Sequence, residues 1–191
     1  MSLVGPGILR IVAGSRRGRR LRVPAEGSVR PTGERVREAI FDVLGPVGGL
    51  RALDLFAGSG AMGLESLSRG AAYCAFVEAD ARVAAVLRKN ISTLGFAAAS
   101  FQIIVTDYLR ATERLAGLSA GFDLLFVDPP YRMLQEVEVT LSPRLPALLA
   151  DDGLVVVESH RSVRAEMGIE PVFDRVYGDT RVVMLKMRRS Q

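Results

Sequence analysis

Apolar and polar positions follow each other along most of this chain with a regularity that predicts its elements. From residue 51 onwards, short apolar runs typical of buried strands alternate with longer segments in which apolar residues have helical spacing. The predicted strands cover residues 52–56, 73–77, 101–105, 122–127 and 154–158, and the predicted helices about 61–69, 81–94, 108–116 and 134–149. Strands that alternate with helices predict an α/β fold with a doubly wound, mostly parallel, Rossmann-like sheet.

The C-terminal part of the chain predicts a different local arrangement. Residues 171–177 and 181–187 flank a turn at Gly178 and Asp179 and predict an antiparallel hairpin. This hairpin would close the sheet at seven strands, with one antiparallel strand near an edge.

The N-terminal part predicts a small β-extension. Residues 8–13 and 20–24 are short alternating runs around a turn-rich, basic tip, and a helical segment follows them. We therefore expect a basic N-terminal extension over residues 1–32 and a main domain over residues 33–191.

Composition restricts the class of protein. Of the 191 residues, 49% are hydrophobic and 24% are charged, which is typical of a globular domain and excludes a disordered chain. The single cysteine, Cys74, excludes an intramolecular disulfide, and its apolar surroundings predict a buried side chain. No apolar run approaches the ~18 residues of a membrane span, and no His, Asp and Glu cluster has metal-ligand spacing. We expect a cytoplasmic monomer with no membrane or metal partner.

Charge is distributed unevenly along the sequence. Residues 1–37 contain nine arginines against Glu26 and Glu34, a net charge of +7, so the remaining 154 residues carry −3 of the overall +4. A basic extension on a slightly acidic body is expected of a protein that binds a phosphate backbone, although a solvated arginine-rich face would give the same pattern. The candidate RNA-binding residues are Arg10, Arg16, Arg17, Arg19, Arg20 and Arg22.

A glycine-rich segment follows the first predicted strand of the main domain. Gly58, Gly60 and Gly63 have the spacing of a dinucleotide-binding loop, and Glu78 ends the next strand, where a carboxylate can accept hydrogen bonds from ribose hydroxyls. Asp54, just before this loop, is unfavourable beside a pyrophosphate but suits a cationic group such as the amino group of a methionine moiety. The segment therefore favours S-adenosylmethionine over NAD. Its candidate cofactor-binding residues are Asp54, Phe56, Gly58, Gly60 and Glu78.

The third predicted strand of the main domain ends at a second candidate cofactor contact. Asp107 follows this strand and could accept a hydrogen bond from the adenine amino group, with Tyr108 alongside. An ordinary helix N-cap by Asp107 explains the same pattern, and one residue can serve both purposes. We include Asp107 and Tyr108 among the candidate cofactor-binding residues.

Asp128, Pro129, Pro130 and Tyr131 follow the fourth predicted strand, at the sheet edge where ligands of open α/β folds bind. An exocyclic base amine is a poor nucleophile because its lone pair is delocalised into the ring. The Asp128 carboxylate and the Pro129 carbonyl can accept both amino hydrogens, while the prolines fix φ and offer no competing N–H. Tyr131 offers a face on which an unpaired base can stack. We take this tetrapeptide as catalytic, against the alternative of a strand end followed by a core tyrosine.

The glycine-rich segment and the tetrapeptide together resemble those of class I amino-methyltransferases. Further segments resemble the bacterial small-subunit rRNA guanine-N2 methyltransferase family (RsmD type), namely residues 10–14 with 18–21, 30–32 with 35–41, 63–71, and 177–181. This resemblance covers nearly the whole chain, although residues 97–120 contribute little to it. It implies transfer of a methyl group from S-adenosylmethionine to guanine N2 in 16S rRNA, on a 30S particle. It also implies that residues 1–32 dock RNA and that residues 33–191 form the methyltransferase domain.

Other functions stay open on sequence grounds. Related tetrapeptides also serve DNA adenine-N6 and protein glutamine-N5 transferases, although a DNA enzyme usually carries a separate recognition domain for which this chain has little room. A non-catalytic RNA-binding assembly factor could keep the same fold, and a nicotinamide oxidoreductase could use the glycine loop. Thr32, Arg35 and His160 are assigned no role.

Overall fold

The computed structural model describes residues 9–24, 33–116 and 121–187. Its strands are β1 Leu9–Arg10, β2 Arg20–Leu21, β3 Arg51–Asp54, β4 Tyr73–Glu78, β5 Phe101–Val105, β6 Phe122–Val127, β7 Leu149–His160, β8 Glu170–Tyr177 and β9 Thr180–Lys186. Its α-helices are α1 Glu34–Leu44, α2 Ala61–Ser68, α3 Ala81–Leu94, α4 Tyr108–Leu115, α5 Leu134–Leu141 and α6 Leu145–Leu148. Residues 30–32, a segment of the family resemblance that includes Thr32, lie outside the described ranges.

A seven-stranded sheet forms the centre of the molecule, in the order β5-β4-β3-β6-β7-β9-β8. Neighbouring strands are parallel from β5 to β7, and β9 runs antiparallel to both β7 and β8. The predicted α/β fold class is therefore confirmed, including the one antiparallel strand near an edge. Because β3 to β7 run in the same direction, their carboxyl ends meet at one edge of the sheet.

The centre of the sheet is buried on both faces. Along β6, Leu124 and Phe126 belong to one apolar cluster, and Leu125 and Val127 belong to another. This two-residue period is what a strand covered by helices on both sides requires. Gly63 of α2 permits close contact with the sheet, since a Cβ there would lie 2.3 Å from Cε1 of Phe76.

The prediction of one helix over residues 134–149 is wrong. The segment begins as α5 but continues as a 310 turn at Ser142–Arg144 and the four-residue α6. Pro143 has no N–H to donate to the preceding turn, which ends the regular helix. Strand β7 is also longer than the predicted 154–158, because it begins at Leu149 and shifts register near Asp152, whose φ is 63°.

The predicted N-terminal β-extension is present as a small antiparallel pair, in which Leu9 lies opposite Leu21. Leu9, Ile11 and Leu21 are buried in the same apolar cluster as Phe41 of α1 and Leu64 of α2. The extension is therefore packed onto the body. A domain division at residue 32 stays a prediction, because residues 25–32 lie outside the described ranges.

A buried carboxylate holds the extension on α2. Glu65 accepts hydrogen bonds from the backbone N–H groups of Val12 at 2.8 Å and Ala13 at 2.9 Å. The same side chain lies 3.5 Å from Nε of Arg37, and both side chains are fully buried. Arg37 also donates to the backbone carbonyl of Arg10. One ionic cluster thus joins α1, α2 and the extension.

Asn90 of α3 makes a second attachment. Its side chain pairs with both backbone groups of Arg22, accepting at 2.8 Å and donating at 3.0 Å, and it also donates to the carbonyl of Ser59 at 2.9 Å. The extension is thereby joined to the loop that precedes α2. Among the described residues, no helix is long and apolar enough to cross a membrane.

Candidate active site

A cavity of about 690 Å³ opens at the carboxyl edge of the sheet. Its wall contains the ends of β3, β4, β6 and β7, the start of α4, and the turn between β8 and β9. The volume is in the range of sites that bury a nucleoside-sized ligand. Nine of the predicted site residues line this cavity: Phe56, Gly58, Glu78, Asp107, Tyr108, Asp128, Pro129, Pro130 and Tyr131.

The glycine loop forms the turn from β3 to α2. Gly58 and Gly60 have φ values of 54° and 87°, a region in which a side chain would be strained. Gly58 lines the cavity. Gly60 is buried and does not line the cavity, and a Cβ there would lie 2.3 Å from the side chain of Leu87. Gly58 thus lies where a ligand can approach, whereas the position of Gly60 serves the turn and its packing.

Asp54 lies under the glycine loop and, like Gly60, outside the set of residues that line the cavity. It is only 4% exposed and accepts a hydrogen bond from the N–H of Gly63 at 3.0 Å. The pKa of its carboxyl is raised to about 7, mainly by burial and also by the negative charges of Asp128 and Glu78, while the Gly63 hydrogen bond opposes this rise. The predicted contact between Asp54 and the cofactor stays a prediction.

Glu78 at the end of β4 is held by two backbone groups. Its carboxylate accepts hydrogen bonds from the N–H of Gly58 and the N–H of Asp80, both at 2.9 Å, one on each oxygen. A carboxylate oxygen can accept more than one hydrogen bond, so this orientation leaves capacity for the hydroxyls of a ribose. The side chain is therefore preorganised for the role that the sequence predicts.

Asp107 is the N-cap of α4, because its side chain accepts a hydrogen bond from the N–H of Arg110 at 3.0 Å. This contact lowers the pKa of the Asp107 carboxyl. The residue also lines the cavity, so capping leaves an adenine contact open. The hydroxyl of Tyr108 contacts Glu136 and Thr140 of α5 at 3.2 and 2.8 Å, and its ring packs 5.3 Å from that of Phe56. Tyr108 therefore supplies an apolar wall.

The predicted catalytic tetrapeptide follows β6 and turns into a 310 helix at Tyr131–Met133. The carbonyl of Pro130 accepts a hydrogen bond from the N–H of Met133 at 2.7 Å, which fixes the turn. Tyr131 is 50% exposed at the cavity mouth. Its ring lies 5.6 Å from that of His160, with the two planes at 72°.

Acidic side chains dominate the charge of the cavity. Among the lining residues in the described part of the chain, none is a lysine or an arginine. The six carboxylate side chains of the wall are Glu78, Asp107, Asp128, Glu136, Glu158 and Asp179. Such a wall repels a pyrophosphate and attracts a cation, and so disfavours NAD.

Sequence reasoning assigned no role to three of these acids: Glu136, Glu158 and Asp179. Glu158 is buried near the end of β7, and an acidic residue at the carboxyl end of a predicted parallel strand could have signalled it. Asp179 lies in the turn between β8 and β9, and the sequence marked its segment, 177–181, by family resemblance without assigning it a role. Gly33 and Val36 of the α1 region also line the cavity and were assigned no role.

The candidate RNA-binding arginines lie together on the extension, outside the cavity. Arg10, Arg17 and Arg20 are exposed, as is Arg22, whose backbone is held by Asn90. Arg19 is exposed and donates to the carbonyl of Thr93 at 2.9 Å. Whether these side chains contact RNA stays a prediction.

Arg16 differs from the other arginines because its guanidinium is used within the molecule. It donates from Nε to the carbonyl of Leu94 at 2.6 Å and from Nη2 to that of Gly95 at 3.3 Å, and it lies 5.3 Å from the Phe96 ring centre. These contacts satisfy the last carbonyls of α3 and dock the tip of the extension. They give Arg16 a structural role beside its predicted RNA contact.

The residues present fit S-adenosylmethionine. The cavity provides an acidic wall for a cationic ligand, the Glu78 carboxylate for ribose hydroxyls, and the Phe56 and Tyr108 rings for a nucleoside. No group of three or more His, Cys, Asp or Glu side chains that could hold a metal ion occurs in the described ranges. Fold and site together define a class I S-adenosylmethionine-dependent methyltransferase.

Comparison with known proteins gives the family. A family described as conserved hypothetical protein 95 matches residues 9–186, and the chain belongs to this family, the RsmD family. The ribosomal RNA small subunit methyltransferase D of Escherichia coli K12 is 42% identical over 158 residues, which cover 81% of this chain and 76% of that protein.

Solved structures agree with this assignment. Hypothetical protein TTHA0928 of Thermus thermophilus has a TM-score of 0.82 at 30% identity, over 94% of this chain and 100% of that chain. The structure of SMU.776 complexed with SAH has a TM-score of 0.66 at 15% identity, over 81% and 49% of the two chains, and shares the fold alone. The resemblance that the sequence motifs indicated is thus confirmed.

Proposed function

We propose that this protein transfers a methyl group from S-adenosylmethionine to the exocyclic N2 amine of a guanine in 16S rRNA, within a 30S particle in the cytoplasm. The observation that carries this proposal is the acidic cavity lined by the tetrapeptide, in a molecule that also has an exposed arginine-rich extension. The E. coli relative named above acts on small-subunit ribosomal RNA by its name. The arginines on the extension suit the phosphates of a polyanion. The carboxylates in the cavity suit a reacting group that is an uncharged amine.

The chemistry of the cavity favours guanine over adenine. Guanine presents two adjacent donors on its Watson–Crick edge, the N1–H and the N2 amino group. Adenine presents its amine beside N1, an acceptor, which would face carboxylates unfavourably. Asp128, Glu158 and Asp179 place carboxylate groups on the wall of the cavity. Carboxylates suit the two adjacent donors of guanine better than the acceptor N1 of adenine.

The tetrapeptide positions the amine. The Asp128 carboxylate and the Pro129 carbonyl accept its two hydrogens, which directs the nitrogen lone pair away from both acceptors. The backbone of Pro130 is held by the hydrogen bond from Met133, and Tyr131 stacks on the base. S-adenosylmethionine, when bound, supplies the electrophilic methyl group. The contribution of these residues is positioning and charge complementarity.

Replacing Asp128 tests this assignment. We expect Asp128→Ala to lower transfer of labelled methyl groups to unmethylated 30S subunits by at least about 100-fold, because one positioned acceptor of the reacting amine is lost. Affinity for S-adenosylhomocysteine, measured by calorimetry, should change less than about threefold. Asp42→Ala removes an exposed carboxylate of α1 and serves as the matched control, with turnover unchanged.

The label must also be mapped to a base. Guanine N2 in 16S rRNA is the expected position, and 30S subunits should be methylated faster than naked 16S rRNA. Label on adenine N6, in DNA or on protein glutamine would overturn the substrate assignment, but methyl transfer to an amine would stand. An absence of S-adenosylhomocysteine binding would instead support a non-catalytic assembly factor.

A further inference from the structure

The one histidine of the chain lies against the candidate base-stacking tyrosine. His160 ends β7, where it pairs with Thr180 of β9, and its ring lies 5.6 Å from that of Tyr131 at 72°. Centroid distances of this size with steeply inclined planes are characteristic of favourable edge-to-face contacts. Tyr131 lines the cavity, whereas His160 lies outside the set of lining residues. A contribution of His160 to the reaction would therefore pass through Tyr131.

The imidazole is held by the turn that follows β7. The N–H of Ser162 lies 3.3 Å from Nδ1 of His160, and Oγ of Ser162 lies 2.7 Å from the same atom. A backbone N–H can only donate, so Nδ1 is an acceptor and the hydroxyl donates as well. The neutral ring then carries its proton on Nε2.

This turn is itself fixed by two hydrogen bonds. The N–H of Val163 donates to the carbonyl of His160 at 2.8 Å, and Oγ of Ser159 donates to the carbonyl of Val163 at 2.7 Å. The imidazole is therefore attached to an ordered part of the fold. Tyr131, by contrast, is half exposed on a single 310 turn.

We propose that His160 is a positioning residue that holds the Tyr131 ring in the orientation in which it stacks on the target base. The proposal rests on the proposed function, because it assigns His160 a part in the same base-binding step. A tyrosine whose ring is already oriented loses less rotational freedom when the base arrives, which favours the stacked complex. Docking of the RNA on the extension precedes this step and does not involve His160.

A double-mutant cycle tests the proposal on the full-length protein with unmethylated 30S subunits. We expect His160→Ala to lower kcat roughly 3- to 10-fold, the range that an aromatic pair provides, with KM for the subunits within about twofold. In a Tyr131→Ala background the same substitution should change kcat by less than about twofold. If His160→Ala lowered kcat by the same factor in the wild-type and Tyr131→Ala proteins, His160 would act independently of Tyr131, and the proposal would be overturned.

Conservative variants separate positioning from loss of structure. His160→Phe keeps an aromatic ring at the contact and should restore most of the activity lost in His160→Ala. Val163→Ala, at a 44% exposed side chain in the same turn, is the matched control and should leave kcat unchanged. Thermal unfolding and S-adenosylhomocysteine affinity should be the same in all variants. Failure of His160→Phe to exceed His160→Ala would contradict a role for the aromatic contact.

A spectroscopic readout distinguishes this proposal from the proposed function. Because the chain has one histidine, its imidazole Hε1 signal in a proton NMR spectrum is unambiguous. Tyr131→Ala should shift this signal by removing the ring current of the tyrosine, whatever the substrate is. An unshifted signal would overturn the contact itself. If Tyr131→Ala shifts the signal but the wild-type protein methylates no RNA, only the proposed function is contradicted.

Discussion

Asp54 is a carboxyl group in surroundings that oppose its ionisation. It is buried under the glycine loop, within the field of Asp128 and Glu78, and the hydrogen bond from the N–H of Gly63 offsets this only in part. Its pKa of about 7 in the folded protein compares with 3.8 for a solvated side chain. The folded state therefore binds a proton between these two pH values that the unfolded state releases.

This difference predicts how stability depends on pH. The raised pKa does not lower the free energy of unfolding below about pH 4, where the carboxyl is protonated in both states. The full reduction in that free energy is present above about pH 7. The free energy of unfolding should therefore fall as the pH rises from 4 to 7, by up to about 4 kcal/mol from this one group. Urea denaturation of wild type and Asp54→Asn across this range measures the effect, and the variant should have the flatter profile.

A control for this prediction is an exposed carboxylate. Asp42 of α1 is exposed, so Asp42→Asn should follow the wild-type profile. If Asp54→Asn kept the wild-type slope between pH 4 and 7, the slope would have to come from other groups, and the assignment to Asp54 would be wrong.

At the residue scale, the sequence predicted the side chains at the ends of strands except Glu158, and it missed those that tertiary pairing brings in. Glu78 and Asp128 could be placed because each ends a short apolar run, and parallel strands end at one edge. Asp179 joins the same cavity only because β9 inserts between β7 and β8, which no local pattern specifies. Asp54 was identified, but its position under the loop depends on how α2 packs.

At the scale of elements, the N-terminal extension is held by side chains far along the sequence. Glu65 of α2 accepts from Val12 and Ala13, and it neutralises the fully buried Arg37 of α1. Burial lowers the pKa of Arg37, and Glu65 is the main group that opposes this effect. Removing the carboxylate would leave a buried guanidinium charge without the group that contributes most to its stabilisation.

Glu65→Ala should therefore be among the most destabilising substitutions on α2. We expect a loss of about 3–5 kcal/mol in the free energy of unfolding, the usual cost of breaking a buried ion pair on one side. Hydrogen exchange at the Val12 and Ala13 amides should also accelerate, since both lose their acceptor. Glu38→Ala, at an exposed carboxylate of α1, is the control and should change the free energy by less than about 0.5 kcal/mol. A comparable loss in both variants would argue against the buried cluster.

The predicted elements were right where an apolar run between turn residues had one interpretation. They were wrong where apolar spacing ran through residues that interrupt a helix or strand. Strands β3 to β6 were found within a residue or two, because apolar runs between turn residues have few other interpretations. The helix at 134–149 was drawn too long, because its apolar spacing persisted past Pro143, after which the regular helix does not continue. The start of β7 could not be predicted, since residues before Gly153 pair across a bulge.

At the scale of the whole molecule, charge is separated into a basic surface and an acidic interior site. Exposed arginines lie on the extension, and carboxylates line the cavity at the sheet edge. A polyanion can therefore bind outside while its phosphates stay away from the carboxylates. Substitutions on the extension should change the affinity for RNA, whereas substitutions in the cavity should change methyl transfer.

The salt dependence of RNA binding tests this separation. Combined replacement of Arg17, Arg20 and Arg22 by glutamine should weaken binding to 16S rRNA and reduce the slope of log K against log salt by about 2, near 0.7–0.9 per lost phosphate contact. Affinity for S-adenosylhomocysteine should not change, because these side chains lie outside the cavity. Arg175→Gln, at an exposed position on edge strand β8, is the control. An unchanged slope in the triple variant would rule out RNA docking by these three side chains.

The attachment of the extension has a consequence for biosynthesis. Its partners are Glu65, Asn90 and the carbonyls of Leu94 and Gly95, so Arg22 leaves the ribosome about 70 residues before the last of them. At ~5–20 residues per second, the nascent extension waits roughly 4–15 s for its docking surface. Until α2 has been translated, Leu9, Ile11 and Leu21 lack the helix that carries Leu64, a member of their apolar cluster. The attachment of the extension is thus complete only after α3 has been made.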